Sequence, residues 1–230
     1  MSQLALPLKL ADHAVFESFF DAGNEALVAT LRAIATGDGH GCWLWGAAAT
    51  GKTHLLQAVC DAAGDRAAYI PLSLFAEAGA EILDGLASRE IVCIDDVHLV
   101  LSQTSWEATL FDLSNQILDE GAQLIVSADA APRESAVILA DLKSRFARLP
   151  VFQTHALDED DRVNALQLRS RHRGLELPND TARYLLKRSR RDMASLYEML
   201  DRLDDEAMRA KRRLTIPFVR KVLTSNRPSV

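Results

Sequence analysis

The sequence predicts an α/β fold, a parallel sheet with helices on both faces, followed by a small all-helical domain. Three observations carry that prediction. Gly46-Ala47-Ala48-Ala49-Thr50-Gly51-Lys52-Thr53 completes the pattern G-x-x-x-x-G-K-[ST] between a strand-like and a helix-like run. Short apolar runs then alternate with helical periodicity as far as about His155. Beyond that point the strand signal stops and only helical patterns continue.

In chain order, residues 1–12 read as a tail ahead of the folded part. A helix is predicted over Glu25–Ala35, stopped by Gly37-Asp38-Gly39. Cys42–Trp45 is the apolar strand entering the phosphate-loop pattern, and Thr53–Ala63 the helix leaving it. Further strand-like runs are Ala67–Ile70, Ile91–Ile94, Leu124–Ser127 and Leu149–Gln153, with helices over Trp106–Glu120 and Val137–Ala147. Asp158–His172, Asn179–Lys187, Arg191–Ala210 and Pro217–Leu223 then read as helices, several with an acidic first turn. Leu196, Met199, Leu200 and Leu203 fall on one helical stripe, the pattern of a packed core. Trp43, Trp45 and Trp106 are assigned to packing. The expected division is a tail at 1–12, a nucleotide-binding α/β domain at 13–155 and a helical lid at 156–230.

With 230 residues the chain can bury a sizeable core. The net charge of −6 gives no global electrostatic reason to bind nucleic acid. Basic residues gather between Arg162 and Arg213, but acids are interleaved there, as on a solvated helical surface. Cys42, Cys60 and Cys93 are isolated, form no C-x-x-C pair, and read as buried free thiols. No window approaches the ~18 apolar residues of a membrane span. The N-terminus also lacks a charged-then-apolar leader. A reduced, cytoplasmic setting is expected.

The loop pattern names a ligand class. Backbone N–H groups of the loop and of the following helix N-terminus cradle the phosphates of a nucleoside di- or triphosphate. Lys52 would reach the outer phosphates and Thr53 would ligand Mg²⁺. Ile91-Val92-Cys93-Ile94-Asp95-Asp96 is an apolar strand ending in two carboxylates, forty-odd residues downstream. Asp95 suits the metal-supporting role, and Asp96 would orient or deprotonate an attacking water. In Ser127-Ala128-Asp129 a polar residue at a strand end either senses the terminal phosphate or serves turn chemistry. Arg145, near the end of a helix, either complements the helix dipole or stabilises phosphoryl charge in a neighbouring subunit. Spacing alone leaves both readings open.

Phe16-Glu17-Ser18-Phe19 with Gly23-Asn24, then Gly46–His54, Ile94-Asp95-Asp96-Val97-His98, Ser127-Ala128-Asp129, Lys143-Ser144-Arg145-Phe146 and Arg190-Arg191-Asp192-Met193, together resemble the AAA+ ATPase family. Within it they resemble the branch that contains the bacterial initiator DnaA. The resemblance runs from about residue 12 to 225. It implies a P-loop AAA+ core with a helical lid that binds ADP or ATP with Mg²⁺. Carried over position by position, it places Gly46, Thr50, Gly51, Lys52, Thr53, His54, Asp129 and Arg191 at the nucleotide. Thr53 and Asp95 fall at the metal, Asp96 at the catalytic-acid position and Arg145 at the arginine finger, with Glu17–Asn24 near the adenine. Ala128 and Ala47–Ala49 depart from the initiator's Ser and Gly-rich wording, so intrinsic hydrolysis is expected to be weak.

Gln3-Leu4-Ala5-Leu6-Pro7-Leu8 looks like a Q-L-x-L-P-type peptide that binds the sliding clamp, the DNA polymerase III beta subunit. Leu4, Leu6 and Leu8 would enter an apolar groove and Gln3 would hydrogen-bond at one end. The residues given stop near the end of the lid, so no helix-turn-helix that reads DNA is expected. The resemblance therefore implies a negative regulator of replication initiation that stimulates hydrolysis of ATP bound to the initiator DnaA. Clamp and initiator are the expected partners, with no sequence-specific DNA binding; a homodimer is compatible. The rival reading is a self-assembling AAA+ ATPase acting in helicase loading or remodelling. A DNA-binding paralogue is disfavoured by the missing DNA-reading domain and the acidic net charge.

Overall fold

The computed structural model describes residues 14–188 and 192–224. Five strands, Cys42–Trp45 (β1), Ala67–Pro71 (β2), Ile91–Asp95 (β3), Gln123–Ala128 (β4) and Val151–Gln153 (β5), form one parallel sheet ordered β2-β3-β4-β1-β5. β3 and β4 are buried along their whole length, which is why they read as continuous apolar runs. The chain moves out from β1 to the edge at β2, returns through β3 and β4, and crosses to β5 on the other side of β1. The loop after β1 therefore lies where the strand order reverses, the place where open parallel sheets bind ligands.

Glu25–Thr36 (α1) precedes β1, and between the strands run Lys52–Ala63 (α2), Leu72–Phe75 (α3), Thr104–Asp119 (α4) and Ala140–Phe146 (α5), with short 3₁₀ turns at Ala80–Leu83, Leu86–Ser88 and Val97–Leu99. α1 ends as its glycines predict: Gly37 is left-handed, and Asp38 N–H returns to the Ala33 carbonyl at 2.8 Å. Two expected elements of the α/β unit are shorter in the structure. β5 begins at Val151 instead of Leu149, because Leu149 N–H closes a turn on the Phe146 carbonyl and Pro150 has no N–H to offer. α5 begins at Ala140 instead of Val137, because the N–H groups of Ile138 and Leu139 are taken by a side chain.

That side chain is Glu107 of α4, 2% exposed, which accepts from Ser102 N–H at 2.8 Å, Ile138 N–H at 3.0 Å and Leu139 N–H at 2.6 Å. It ties the segment entering α5 to α4. Glu107→Ala would leave those N–H groups without their acceptor in a partly buried setting and is expected to cost about 2–3 kcal/mol. Glu107→Gln, which keeps one acceptor oxygen, should cost less. Urea midpoints of the two variants check the order. From the other side, Phe146 of α5 packs on Trp43 of β1, ring centroids 5.0 Å apart, while Trp43 Nε1 donates to the Ala130 carbonyl at 2.9 Å.

The three thiols are buried. Cys42 and Cys93 both lie in register with Ile125 of β4, and therefore on one face of the sheet. Burial pushes the Cys42 thiol up to about 12, and Cys93 is held well above the usual thiol range by its hydrogen bond with Cys60 of α2 and by burial.

The chain divides into two units, with the boundary between His155 and Ala156 and with Glu17–Ala22 grouped with the second. In the second unit, Glu159–His172 (α6), Asn179–Arg188 (α7), Met193–Ala210 (α8) and Ile216–Thr224 (α9) pack around Val163, Leu166, Leu185, Leu196, Leu200, Leu203 and Val219. Met199 of the predicted stripe is only partly buried against this core. Asp158 and Asp192 cap α6 and α8, accepting from Asp161 and Ser195 N–H at 2.8 Å each. Arg169, 3% exposed, pairs with Asp201 at 3.0 Å and lies 4.2 Å over the Tyr197 ring. Arg173 joins Asp201 to Asp204. Asp201 and Asp204, two of the interleaved acids of this region, thus engage arginines within the unit. Among the described residues no helix is long and apolar enough to cross a membrane.

Candidate nucleotide-binding site

The C-terminal edge of the sheet gathers the chemistry. Gly46 follows β1, Asp95 ends β3, Asp129 follows β4 and Thr154 follows β5. Gly46 has φ +154°, and a Cβ there would sit 2.3 Å from Thr154 Oγ1 and 2.8 Å from the Thr154 carbonyl oxygen. Only glycine lets the loop leave β1 this close to β5. Thr154 then secures the loop, its hydroxyl lying 2.6 Å from Thr50 Oγ1 and 3.2 Å from the Trp45 carbonyl. Thr50 Oγ1 also donates to the Ala47 carbonyl at 2.9 Å. Gly51, left-handed at φ +95°, starts α2 with no side-chain cap, so the first N–H groups of that helix remain available to an anion.

Lys52, 8% exposed, lies across the loop, its Nζ donating to the Gly46 carbonyl at 2.7 Å and the Ala47 carbonyl at 3.0 Å. Burial lowers its pKa, and Asp96, Asp95 and Asp129 oppose that shift. The cation is thus held on the loop with acids facing it. Thr53 is exposed at the first turn of α2. His54, one residue on, places Nε2 2.9 Å from the Val15 carbonyl, which fastens the segment ahead of α1 to α2. Asn24 does the same toward β5, its Oδ1 accepting from His155 N–H at 2.9 Å.

Asp95 is 1% exposed, and both its oxygens are engaged: Tyr69 OH donates to Oδ2 at 2.8 Å, and Ser127 Oγ donates to Oδ1. Ser127 Oγ in turn accepts the Asp96 N–H at 2.9 Å. Gln57 of α2 donates to Tyr69 OH at 3.4 Å, so the network spans α2, β2, β3 and β4. Desolvation, and then the Asp95 charge, push the Tyr69 phenol above its usual range. The phenol therefore stays a donor that orients Asp95. Asp96 stands beside it in the left-handed region, at φ +59°. Burial raises its pKa first and Asp95 second, with His98 and Lys52 opposing.

The raised value has a consequence for stability. The fold penalises ionised Asp96, so that penalty is present above the folded pKa and disappears as pH falls below the ordinary carboxylate range. Asp96→Asn, which also tolerates a left-handed backbone, is expected to melt at or above the parent temperature at pH 7. The two curves should merge near pH 3. A lower midpoint for the variant at pH 7 would contradict the sign.

The donors present fit a phosphate chain with a divalent cation. An uncapped helix N-terminus and Lys52 face the anion, while the Thr53 hydroxyl and the Asp95 carboxylate supply hard oxygen ligands. Asp129 is exposed at the end of β4. Arg145, on α5, is half-buried, and its guanidinium has no hydrogen-bond or ion-pair partner among the described residues. Arg191 and Gln3, Leu4, Leu6, Pro7 and Leu8 lie outside the described residues. Sequence reasoning missed Tyr69, Gln57, Thr154 and Glu107. Their spacing to the motifs is set by strand order, which no short pattern encodes.

Residues 10–149 match the family model described as the bacterial DnaA ATPase domain, and residues 158–223 match that of the Hda lid domain. Domain III of the Thermotoga maritima replication initiation protein DnaA superposes with a TM-score of 0.76 at 22% identity, covering 94% of this chain and 98% of that one. AMPPCP-bound DnaA from Aquifex aeolicus gives 0.66 at 22% identity, over 85% of this chain and 66% of that one. The Thermotoga maritima RuvB Holliday junction branch migration motor gives 0.64 at 18%, over 87% and 67%. At such identities the structural likeness shows the fold.

Proposed function

The chain belongs to the bacterial DnaA ATPase family and joins that core to an Hda-type lid, and from this premise we propose that it binds ADP or ATP and restrains replication initiation by driving hydrolysis of ATP held on DnaA. The single observation that carries the reading is Arg145. Its guanidinium is left without a partner among the described residues, on a short helix that Glu107 and Phe146 brace against α4 and β1. An unpaired cation on a rigid support is what a group that stabilises phosphoryl charge in trans requires.

In this reading the chain's own nucleotide lies on the loop of Gly46–Thr53. The N–H groups of the loop and of α2 hold its phosphates, and Lys52 supplies the charge. Thr53 and Asp95 would hold Mg²⁺, which when bound neutralises phosphate charge. Tyr69 and Ser127 hold Asp95 in one orientation through two donated hydrogen bonds. AMPPCP in the Aquifex aeolicus DnaA structure supports a nucleotide in a core of this fold. The tail Gln3–Leu8 tethers the protein to the sliding clamp and raises its effective concentration where DnaA meets newly replicated DNA.

The test is hydrolysis of DnaA-bound ATP in the presence of DNA-loaded clamp. The intact protein is compared with a version lacking residues 1–8 and with Arg145→Ala. Loss of stimulation in both variants is expected. Full stimulation by both would turn the reading toward a self-assembling ATPase that works on its own nucleotide.

A further inference from the structure

We propose that the pocket between α4 and α5 is a phosphate-chain site in which Arg148 is a second cationic contact beside Arg145, gripping the phosphate next to the one transferred. The inference rests on the reading of Arg145 just given and extends it to a residue that no motif singled out.

The pocket has a volume of about 210 Å³ and is lined by Phe111 of α4 and by Asp141, Ser144, Arg145 and Arg148. Arg148 N–H donates to the Arg145 carbonyl at 3.1 Å, closing a turn that brings the two arginines to the same cavity. Neither guanidinium has an ion-pair partner among the described residues. Asp141 stands one helical turn before Arg145, a spacing that permits pairing, yet the two do not pair. The cavity thus presents two unneutralised guanidinium groups and one carboxylate, a net positive lining over a single aromatic wall.

The walls are held. Glu107 ties the entry of α5 to α4, and Leu142 and Phe146 bury the opposite face of α5, at 0% and 1% exposure. Two arginine forks on a fixed support suit a ligand with several adjacent anionic oxygens. A nucleotide base would need more apolar wall than one ring supplies. The terminal phosphates of a nucleotide borne by a DnaA-type partner meet both requirements. Because the phosphate that Arg148 grips is not transferred, its contact exists before and during the reaction. Losing it should therefore weaken assembly more than it slows the chemical step.

The experiment titrates full-length protein against ATP-loaded DnaA with DNA-loaded clamp, for the parent, Arg148→Ala, Arg148→Lys and Arg145→Ala. Arg148→Ala is expected to raise the half-saturating concentration about tenfold, with a smaller loss of maximal rate. Arg148→Lys, which keeps the charge and loses the fork, should recover only part of that loss, while Arg145→Ala collapses the maximal rate. Binding to nucleotide-free DnaA, measured alongside, should be the same for the parent and Arg148→Ala. An Arg148→Ala titration that superposes on the parent, with Arg145→Ala still collapsed, overturns the second contact and leaves the finger standing. Equal weakening toward nucleotide-free DnaA assigns Arg148 to a protein surface and also overturns it. If Arg145→Ala matches the parent, the underlying reading falls and this inference with it.

Discussion

Arg145→Ala is expected to lower the rate at which the protein drives hydrolysis of DnaA-bound ATP by about 10³–10⁵-fold, the range for guanidinium groups that act at phosphoryl transfer. Charge spreads over the oxygens of the transferring group, and a planar fork already oriented toward them needs no reorganisation at the moment of reaction. Arg145→Lys keeps the charge and loses the fork, so it should recover only a small part of the rate. The guanidinium makes no hydrogen bond or ion pair among the described residues, and the melting temperature of Arg145→Ala should match the parent. A variant equally folded and equally active would remove the role. Single-turnover hydrolysis with excess protein, read beside a thermal melt, separates the outcomes.

Lys52→Ala should weaken nucleotide binding by about 10²-fold, the scale of losing a charge-assisted contact to phosphate in a partly desolvated site. Lys52 Nζ donates to two loop carbonyls, those of Gly46 and Ala47, and an ammonium has a third N–H to give a phosphate oxygen. The variant loses the loop bonds but also the cost of burying a cation, the same desolvation that lowers the lysine's pKa. Stability without nucleotide should accordingly change little while affinity falls. Displacement of a fluorescent ADP analogue measures the affinity, and unchanged displacement would move the site away from this loop.

The buried strands announced themselves because a fully covered parallel strand has no polar face to confuse the pattern, as Ile91–Asp95 and Gln123–Ala128 show. The phosphate loop was equally plain, since its residues are contiguous and each serves a local need. What escaped was everything that depends on neighbours distant in the chain. Tyr69 meets Asp95 only because β2 pairs with β3, Pro71 opposite Asp95. Thr154 meets Thr50 because β5 pairs with β1, across 104 residues of sequence. The start of α5 lies later than the pattern predicts for the same reason: Glu107, from α4, claims the N–H groups of Ile138 and Leu139. Residues 72–88 form only short turns of helix, because nothing in their spacing sustains an amphipathic face.

All cysteine in the chain, Cys42, Cys60 and Cys93, lies in the α/β unit, and the helical lid has none. Cys42 and Cys93 are closed to solvent and hold their protons, so a thiol-reactive dye can attack them only after this unit opens. The labelling rate is therefore a clock on the opening of one unit, blind to fraying of the other. Run with and without ADP, that clock would report how tightly nucleotide holds the sheet shut, with no engineered probe and no enzyme assay.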